Sequence, residues 1–254
     1  MPGIEFKDKR IPCRLIIFDK DGTLIDFAAT WVPLIRKRVA FLLKKLGRND
    51  DELGAFLLKS WGIDPISGRI DPRGPCPVSP RSDEIIIGTM ALYQHGYPWD
   101  ESKQLVAQAF DEADADGDWR EKVVPVKGVA TVLSRLRRDG FHTALATNDE
   151  RKDTEAILNH LGMEGLFDMI LCAGEVNLPK PHPETILTIC RQLGIDPQEA
   201  VMVGDSVADM MTGKRAGVAL TIGILEGGVT PREELEKVAD FVVNSIKELT
   251  FFKL

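Results

Sequence analysis

Residues 15–23, LIIFDKDGT, join a short apolar run to two carboxylates. An unbroken aliphatic run between polar residues is typical of a parallel strand that is buried on both faces, so the pattern predicts a strand over 15–18. Asp19 and Asp21 would then lie in the crevice beyond the carboxyl end of that strand, where open α/β sheets bind ligands. The pattern therefore indicates a functional site built on a parallel sheet.

The residue types behind this strand suit covalent phosphoryl transfer. Asp19 can attack phosphorus to form an aspartyl phosphate, while Asp21 donates a proton to the leaving oxygen and later takes one from water. Gly22 lets the backbone turn sharply and bring an N–H toward phosphate oxygens. Because Asp and Gly are also common turn residues, an ordinary strand-ending turn is the alternative for this pentapeptide alone.

Four segments of the chain place polar residues directly after or beside an apolar run. In chain order they are DKDGT at 19–23, Thr147-Asn148 behind 141–146, KPHPE at 180–184 and GDSVAD at 204–209. Their order and residue types resemble motifs one to four of the haloacid dehalogenase superfamily of phosphatases. The joint match is more specific than any single motif, because each motif is short enough to occur by chance.

The resemblance implies a role for each of these polar residues. Lys180 would counter the charge on the nucleophile and on the phosphate. The implied sets are Asp19, Asp21 and Lys180 for catalysis, Gly22, Thr147 and Asn148 for phosphate binding, Asp19, Asp205 and the Asp21 carbonyl for a metal, and Asp209 and Thr23 in support. The ordinary alternatives are that Thr147 and Asn148 cap the next helix and that Lys180 is a solvated loop lysine.

A divalent cation is expected because carboxylates outnumber the lysine in this set. Like charges about 4 Å apart repel by roughly 4 kcal/mol at an effective dielectric constant of about 20, so the bare site would repel a phosphate ester. Carboxylate and carbonyl oxygens are hard ligands, which favour Mg²⁺ over zinc or copper. We therefore expect Mg²⁺ as the cofactor.

Asp21 narrows the expected reaction. Haloacid dehalogenases lack an acid at this place, since a halide leaves without a proton, so dehalogenation is disfavoured. A phosphoric monoester hydrolase that acts on a small phosphorylated metabolite is the expected enzyme. The alternatives are a phosphomutase similar to β-phosphoglucomutase, which uses the same core, and a catalytically idle binding protein on the same fold.

The composition is that of an ordinary globular protein. Of 254 residues, 44% are hydrophobic and 28% are charged, which excludes wholesale disorder. The net charge of −7 argues against a nucleic acid partner, because no basic stripe stands out. No apolar stretch approaches the roughly 18 residues of a membrane span. The four cysteines form no Cys-x-x-Cys pair, which suggests neither a zinc site nor a disulfide framework, so a reducing compartment is expected. Together with the lack of a membrane span, this predicts a cytoplasmic protein that binds no membrane.

An insertion interrupts the core directly after the first motif. Apolar residues at helical spacing recur between 31 and 110, with Asn49 as the predicted cap of the second helix and a proline-rich loop over 64–81. Residues 28–122 would form a helical cap domain like that of the phosphoglycolate phosphatase subgroup. That subgroup commonly has an aliphatic residue where this chain has Lys20.

The remainder of the chain alternates between strands and helices. Strand-like runs lie near 142–147, 168–172, 200–204, 219–224 and 240–243, with helical patterns between them. This alternation predicts a doubly wound parallel sheet, a Rossmann-like core of the haloacid dehalogenase type formed by 1–27 and 123–254. Gly227 and Gly228 follow one of the strands and favour a plain turn, with a loop that borders the site as the alternative.

Overall fold

A computed structural model describes residues 2–6, 9–48 and 50–253. The strands are β1 (Gly3–Phe6), β2 (Lys9–Pro12), β3 (Leu15–Phe18), β4 (His142–Ala146), β5 (Met169–Leu171), β6 (Ala200–Gly204), β7 (Leu220–Ile224), β8 (Phe241–Val243) and β9 (Thr250–Phe252). The α-helices are α1 (Phe27–Lys45), α2 (Asp51–Ser60), α3 (Arg81–Gln94), α4 (Trp99–Ala115), α5 (Val129–Arg138), α6 (Arg151–His160), α7 (Glu184–Leu193), α8 (Val207–Ala216) and α9 (Arg232–Leu235). Short 3₁₀ helices span Trp119–Lys122, Glu164–Leu166, Pro197–Glu199 and Ile246–Glu248.

The chain divides into two compact units. One consists of the residues up to Asp26 together with those from Val124 onward, and the other is Phe27–Val123. The first unit contains a six-stranded sheet of order β5-β4-β3-β6-β7-β8, in which every neighbouring pair is parallel. The strand order reverses at β3, since β4 and β5 lie on one side of it and β6, β7 and β8 on the other.

The unbroken apolar run of strand β3 is explained by the burial of both of its faces. Ile16 and Phe18 pack into a core formed with α5 and α6, whereas Leu15 and Ile17 pack into a second core formed with α7. Successive side chains of a strand point to opposite faces, so all four are buried only if both faces are covered. Burying each of them contributes roughly 1.5–3 kcal/mol. The prediction of a doubly wound parallel sheet is confirmed.

A second, antiparallel sheet of order β2-β1-β9 lies in the same unit and was not predicted from the sequence. Its strands have three or four residues each. In this sheet Ile4 lies opposite Phe251, which is 247 residues further along the chain. Such a pairing has no local signal, because hydrophobic periodicity over three or four residues is too short to identify a strand.

The unit Phe27–Val123 is helical, with α1 packed against α4 and α3 against α4. Apolar side chains such as Leu42, Leu92 and Phe110 form its interior. Helix α2 begins behind Asp50, whose side chain accepts a hydrogen bond from the N–H of Leu53, whereas the predicted cap Asn49 lies outside the described residues. Among the helices that the structure describes, none is long and apolar enough to cross a bilayer.

Candidate active site

The carboxyl ends of β3, β4 and β6 meet at one edge of the sheet. Phe18 lies opposite Leu145 of β4 and Val203 of β6, so these three neighbouring strands end at the same level. The N–H of Asp19 donates to the carbonyl of Val203 at 2.9 Å, which fixes the first residue after β3 against β6. The polar residues that follow these strands therefore converge.

Lys180 joins two of the converging carboxylates. Its Nζ lies 2.5 Å from Oδ1 of Asp19 and 2.7 Å from Oδ1 of Asp209. All three side chains are buried, so the alternative of a solvated loop lysine is wrong. Burial opposes the charge of Lys180, but Asp19 and Asp209 raise its pKa, so the ammonium keeps its proton.

Asp19, Asp205 and Asp209 form a buried acidic cluster. One carboxylate oxygen from each lies within 4.8 Å of the other two. Burial raises the pKa of Asp205 well above its ordinary value, and the charges of Asp19 and Asp209 raise it further. Burial and the charge of Asp209 likewise raise the pKa of Asp19 against the opposing effect of Lys180. Carboxylates this close together favour the binding of a cation whose charge is higher than that of the Lys180 ammonium.

Asp209 also caps the start of helix α8. It is the third residue of α8, and its Oδ2 accepts hydrogen bonds from the N–H and the hydroxyl of Ser206, at 3.1 and 2.6 Å. The Ser206 hydroxyl in turn accepts from the N–H of Asp209, which completes a capping box. With its Oδ1 on Lys180, Asp209 anchors the lysine to the start of α8.

Two glycine-containing turns approach Asp205 closely. Gly22 has φ of 83°, and a Cβ at this position would collide with the Asp205 carboxylate. A Cβ at Gly228 would lie 2.6 Å from the Cβ of Asp205. The N–H of Gly22 donates to Ile25 within its own turn, so Gly22 contributes its conformation and the room that it leaves. The segment at Gly227 and Gly228 therefore borders the site, which was the alternative to the plain turn that the sequence favoured.

Thr147 and Asn148 follow β4 and reach the same edge. The Asn148 side chain donates to the carbonyl of Lys180 and accepts from its N–H, each at 3.1 Å. The Thr147 hydroxyl accepts from the N–H of Asp149, which leaves its own proton as a donor. Helix α6 has Glu150 at its N-cap, so the alternative that Thr147 and Asn148 cap this helix is wrong.

Asp21 lies outside the acidic cluster and pairs with a residue that the motif does not assign. Its Oδ2 is 2.7 Å from Nζ of Lys20, and the same Nζ is 2.7 Å from Oδ2 of Asp149. Lys20 is fully buried, whereas the Asp21 side chain keeps 17% of its surface exposed. Thr23 is buried below this turn, and its N–H donates to the carbonyl of Lys20.

The structure thus brings Asp19, Lys180, Asp205 and Asp209 into direct proximity, with Asp21 on the adjoining turn. Lys20, Asp149 and Ser206 are neighbours of these residues that were not predicted from the sequence. The signals that were present are weak: a lysine where an aliphatic residue is common, and a serine ahead of a helix.

Comparison with known proteins identifies the family. A sequence model of the haloacid dehalogenase-like hydrolases matches residues 13–217. This chain belongs to the haloacid dehalogenase-like hydrolase family, as its motifs indicated.

Two relatives in sequence and one solved structure of similar fold show what the chain resembles. Phosphoglycolate phosphatase 1 of Pseudomonas aeruginosa is 29% identical over 243 residues, which cover 94% of this chain and 79% of that protein. The probable phosphatase IndB of Dickeya dadantii is 33% identical, with coverage of 92% and 91%. A solved structure described as a predicted phosphoglycolate phosphatase from Haemophilus somnus has a TM-score of 0.66 at 20% identity, with coverage of 92% and 94%. The prediction of an enzyme of this superfamily is confirmed.

Proposed function

We propose that this chain hydrolyses a small phosphate monoester through a covalent aspartyl phosphate on Asp19. The observation that carries the proposal is the buried ion pair of Asp19 with Lys180 at the carboxyl end of β3, two residues before Asp21. A carboxylate beside a fixed ammonium can attack phosphorus while the ammonium balances the charge of the incoming ester. Membership of a hydrolase family and the phosphatase names of the relatives support this assignment.

In the first half-reaction, a carboxylate oxygen of Asp19 forms a bond to phosphorus, and the bond from phosphorus to the ester oxygen breaks. The electron pair of that bond stays on the ester oxygen, which takes a proton from Asp21 and leaves as a neutral alcohol. Lys180 keeps its charge beside the nucleophile through this step. The Thr147 hydroxyl and the backbone N–H of Asn148 are the donors that we assign to the transferring phosphate oxygens.

In the second half-reaction, water attacks the phosphorus of the aspartyl phosphate. The water oxygen bonds to phosphorus while its proton passes to the Asp21 carboxylate. The bond from phosphorus to the Asp19 oxygen breaks, its electron pair returns to the carboxylate, and inorganic phosphate leaves. Asp21 ends with the proton that it needs for the next ester.

Mg²⁺ fits the acidic cluster as a cofactor. The cluster offers hard oxygen ligands, and the charges of Asp19 and Asp209 raise the pKa of Asp205, an effect that a divalent cation would offset. Asp19 and Asp205 would hold the ion together with the Asp21 carbonyl, because both oxygens of Asp209 already accept hydrogen bonds from Lys180 and Ser206. When bound, Mg²⁺ supplies positive charge that offsets the charge of the transferring phosphoryl group.

The substrate class that we propose is a small phosphorylated metabolite. 2-Phosphoglycolate is the first compound to assay, because relatives of comparable length are named for it. A screen of phosphate monoesters ranked by kcat/KM then identifies the preferred substrate.

The test is hydrolysis of p-nitrophenyl phosphate by the purified protein with Mg²⁺ and with EDTA. We expect activity only with Mg²⁺, and we expect Asp19→Asn to lose at least about a thousandfold, whereas the matched exposed variant Asp196→Asn retains wild-type activity. Rapid quenching followed by mass spectrometry should locate one phosphoryl group on Asp19. A near-normal rate for Asp19→Asn would refute the proposal. Conversion of a hexose 1-phosphate to its 6-phosphate ahead of any free phosphate would point to a mutase instead.

A further inference from the structure

We propose that Lys20 is a positioning residue that holds the carboxyl group of Asp21 in place for proton transfer to the leaving group. This inference rests on the proposed function, in which Asp21 is the acid and base. Lys20 stands between the two aspartates of the first motif, and its Nζ pairs with Asp21 and with Asp149, two carboxylates outside the acidic cluster.

Lys20 is held both at its backbone and at the Nζ of its side chain. Its carbonyl accepts the N–H groups of Leu24 and Ile25, at 2.8 and 3.1 Å, so the turn that carries it is closed. Its Nζ is held by Asp149, which is itself anchored: the Asp149 N–H donates to Thr147, and its carbonyl accepts from the N–H of Ala173. Asp21 is therefore paired with an ammonium that is tied to the loop after β4.

The energetics of this ion pair favour a functional role over a purely stabilising one. Removing an ammonium from water costs several kcal/mol, and replacing a buried ion pair by apolar residues of similar volume is often neutral or stabilising. Lys20 is fully buried, so apolar side chains in place of Lys20 and its aspartate partners together would serve the fold about as well. What an aliphatic residue cannot do is direct the carboxylate of Asp21.

The two aspartates of the first motif are held by separate lysines in the same manner. Lys180 joins Asp19 to Asp209, and Lys20 joins Asp21 to Asp149. Each of the two carboxylates that react is thus paired with a buried ammonium. That ammonium also pairs with a second aspartate from a distant segment of the chain. Fixing each group separately keeps the nucleophile and the acid in register, which is where positioning contributes most to rate.

The leaving group provides a readout that a merely structural role would not move. We expect Lys20→Met to lower kcat/KM about 100-fold for phenyl phosphate, whose phenolate needs a proton, within the range of general acid catalysis. For 2,4-dinitrophenyl phosphate, whose leaving group departs as a stable anion, we expect a loss below about threefold. Asp21→Asn should show the same selective pattern, and Lys20→Met combined with Asp21→Asn should lose no more than Asp21→Asn alone, since the two act as a unit.

Two further variants control for folding and for charge. Lys214→Met removes a half-exposed lysine that pairs with Asp240 away from the site, and we expect unchanged kcat/KM for both esters. Should Lys20→Met fail to fold because Asp21 and Asp149 are left without a cation between them, Lys20→Met with Asp149→Asn removes one of the two charges and carries the same test. An equal loss for both esters, or a gain, overturns the role of Lys20. An inactive wild type refutes the proposed function instead.

Discussion

At the scale of single residues, Gly228 shows how closely the backbone approaches a candidate metal ligand. A Cβ added there would lie 2.6 Å from the Cβ of Asp205, closer than such atoms come in proteins. We expect Gly228→Ala to displace the Asp205 carboxylate and to lower kcat/KM at least about tenfold, since displacements near 1 Å at a catalytic group cost up to 100-fold. Mg²⁺ titration followed by activity measures the change in apparent affinity.

Gly165 provides the matched control for this substitution. An added Cβ there meets no atom within 4 Å, so Gly165→Ala should leave the activity and the Mg²⁺ requirement as they are. If the two glycine variants behave alike, the close approach of Gly228 to Asp205 has no functional consequence.

The sequence predicts those residues of the site that directly follow a strand with a clear apolar pattern. Asp19, Thr147 and Asp205 could be predicted to meet because the carboxyl ends of neighbouring parallel strands share one edge. Lys20 and Asp149 could not, because 129 positions separate them and neither follows a motif rule. Their pairing depends on the direction of two side chains, which no periodicity encodes.

At the scale of secondary structure, the capping box of α8 links helix stability to the site. We expect Ser206→Ala to cost about 1 kcal/mol of unfolding free energy, the usual loss for an N-cap serine. It should also lower kcat severalfold, because Asp209 loses the hydrogen bond from the Ser206 hydroxyl that helps to hold its carboxylate against Lys180. Urea denaturation and steady-state kinetics measure the two effects.

Asp196→Ala separates the structural effect from the kinetic one. Asp196 caps the 3₁₀ helix Pro197–Glu199 by accepting from the N–H of Gln198 at 2.9 Å. A comparable loss of stability with unchanged kcat is expected. Equal kinetic losses in both variants would contradict the connection between α8 and Lys180.

The contact between β7 and the turn before β8 predicts a pH dependence. The Asp240 carboxylate accepts the N–H and the hydroxyl of Thr221, each at 2.8 Å. Burial opposes its charge, but these bonds and Lys214 lower its pKa below the ordinary value. A carboxyl group whose pKa is lowered by folding stabilises the protein above the unfolded pKa, near 3.9, and loses that contribution as the pH falls through the folded pKa.

Asp240→Asn therefore should cost about 1 kcal/mol at pH 7, the usual net value of such a hydrogen-bonded group. The difference from wild type should shrink as the pH falls below about 4, because the wild-type carboxyl becomes protonated as well. Denaturant unfolding at a series of pH values measures both. A difference that stays constant down to pH 2 would show that the charge of Asp240 is not involved.

Which elements the sequence revealed follows from how local their signals are. The four residues of β3 are buried on both faces and therefore read as an unbroken apolar run, which made the parallel sheet predictable. Strands β1 and β9 pair the two ends of the chain, so their signal lies in contacts rather than in pattern. Helix α1 begins at Phe27, four residues ahead of the first position assigned to its apolar pattern, because periodicity locates the apolar face of a helix and not its first residue.

At the scale of the whole molecule, folding collects carboxylates from distant parts of the chain into one buried cluster, and this arrangement works against stability. Asp19 and Asp205 are 186 positions apart in the sequence, yet in the folded protein burial and the charge of Asp209 raise the pKa values of both. Part of the net charge of −7 is therefore concentrated at the edge of the sheet. A divalent cation that binds the folded state alone should therefore stabilise the protein.

We expect Mg²⁺ to raise the melting temperature of the wild type. We expect Asp205→Asn to raise the melting temperature of the metal-free protein. Saturation at 100 times Kd adds about 2.7 kcal/mol, which corresponds to roughly 5–10 °C for a chain of this size. Asp205→Asn removes one buried like charge, so in EDTA it should melt above the wild type, while it loses both the Mg²⁺-induced shift and the activity. Calorimetry in EDTA and in Mg²⁺ measures these shifts, with Asp196→Asn as the variant that should follow the wild type in both. If Asp205→Asn melts below the wild type in EDTA, the carboxylates do not repel one another in the metal-free protein, and the argument for a cation at this site loses its electrostatic basis.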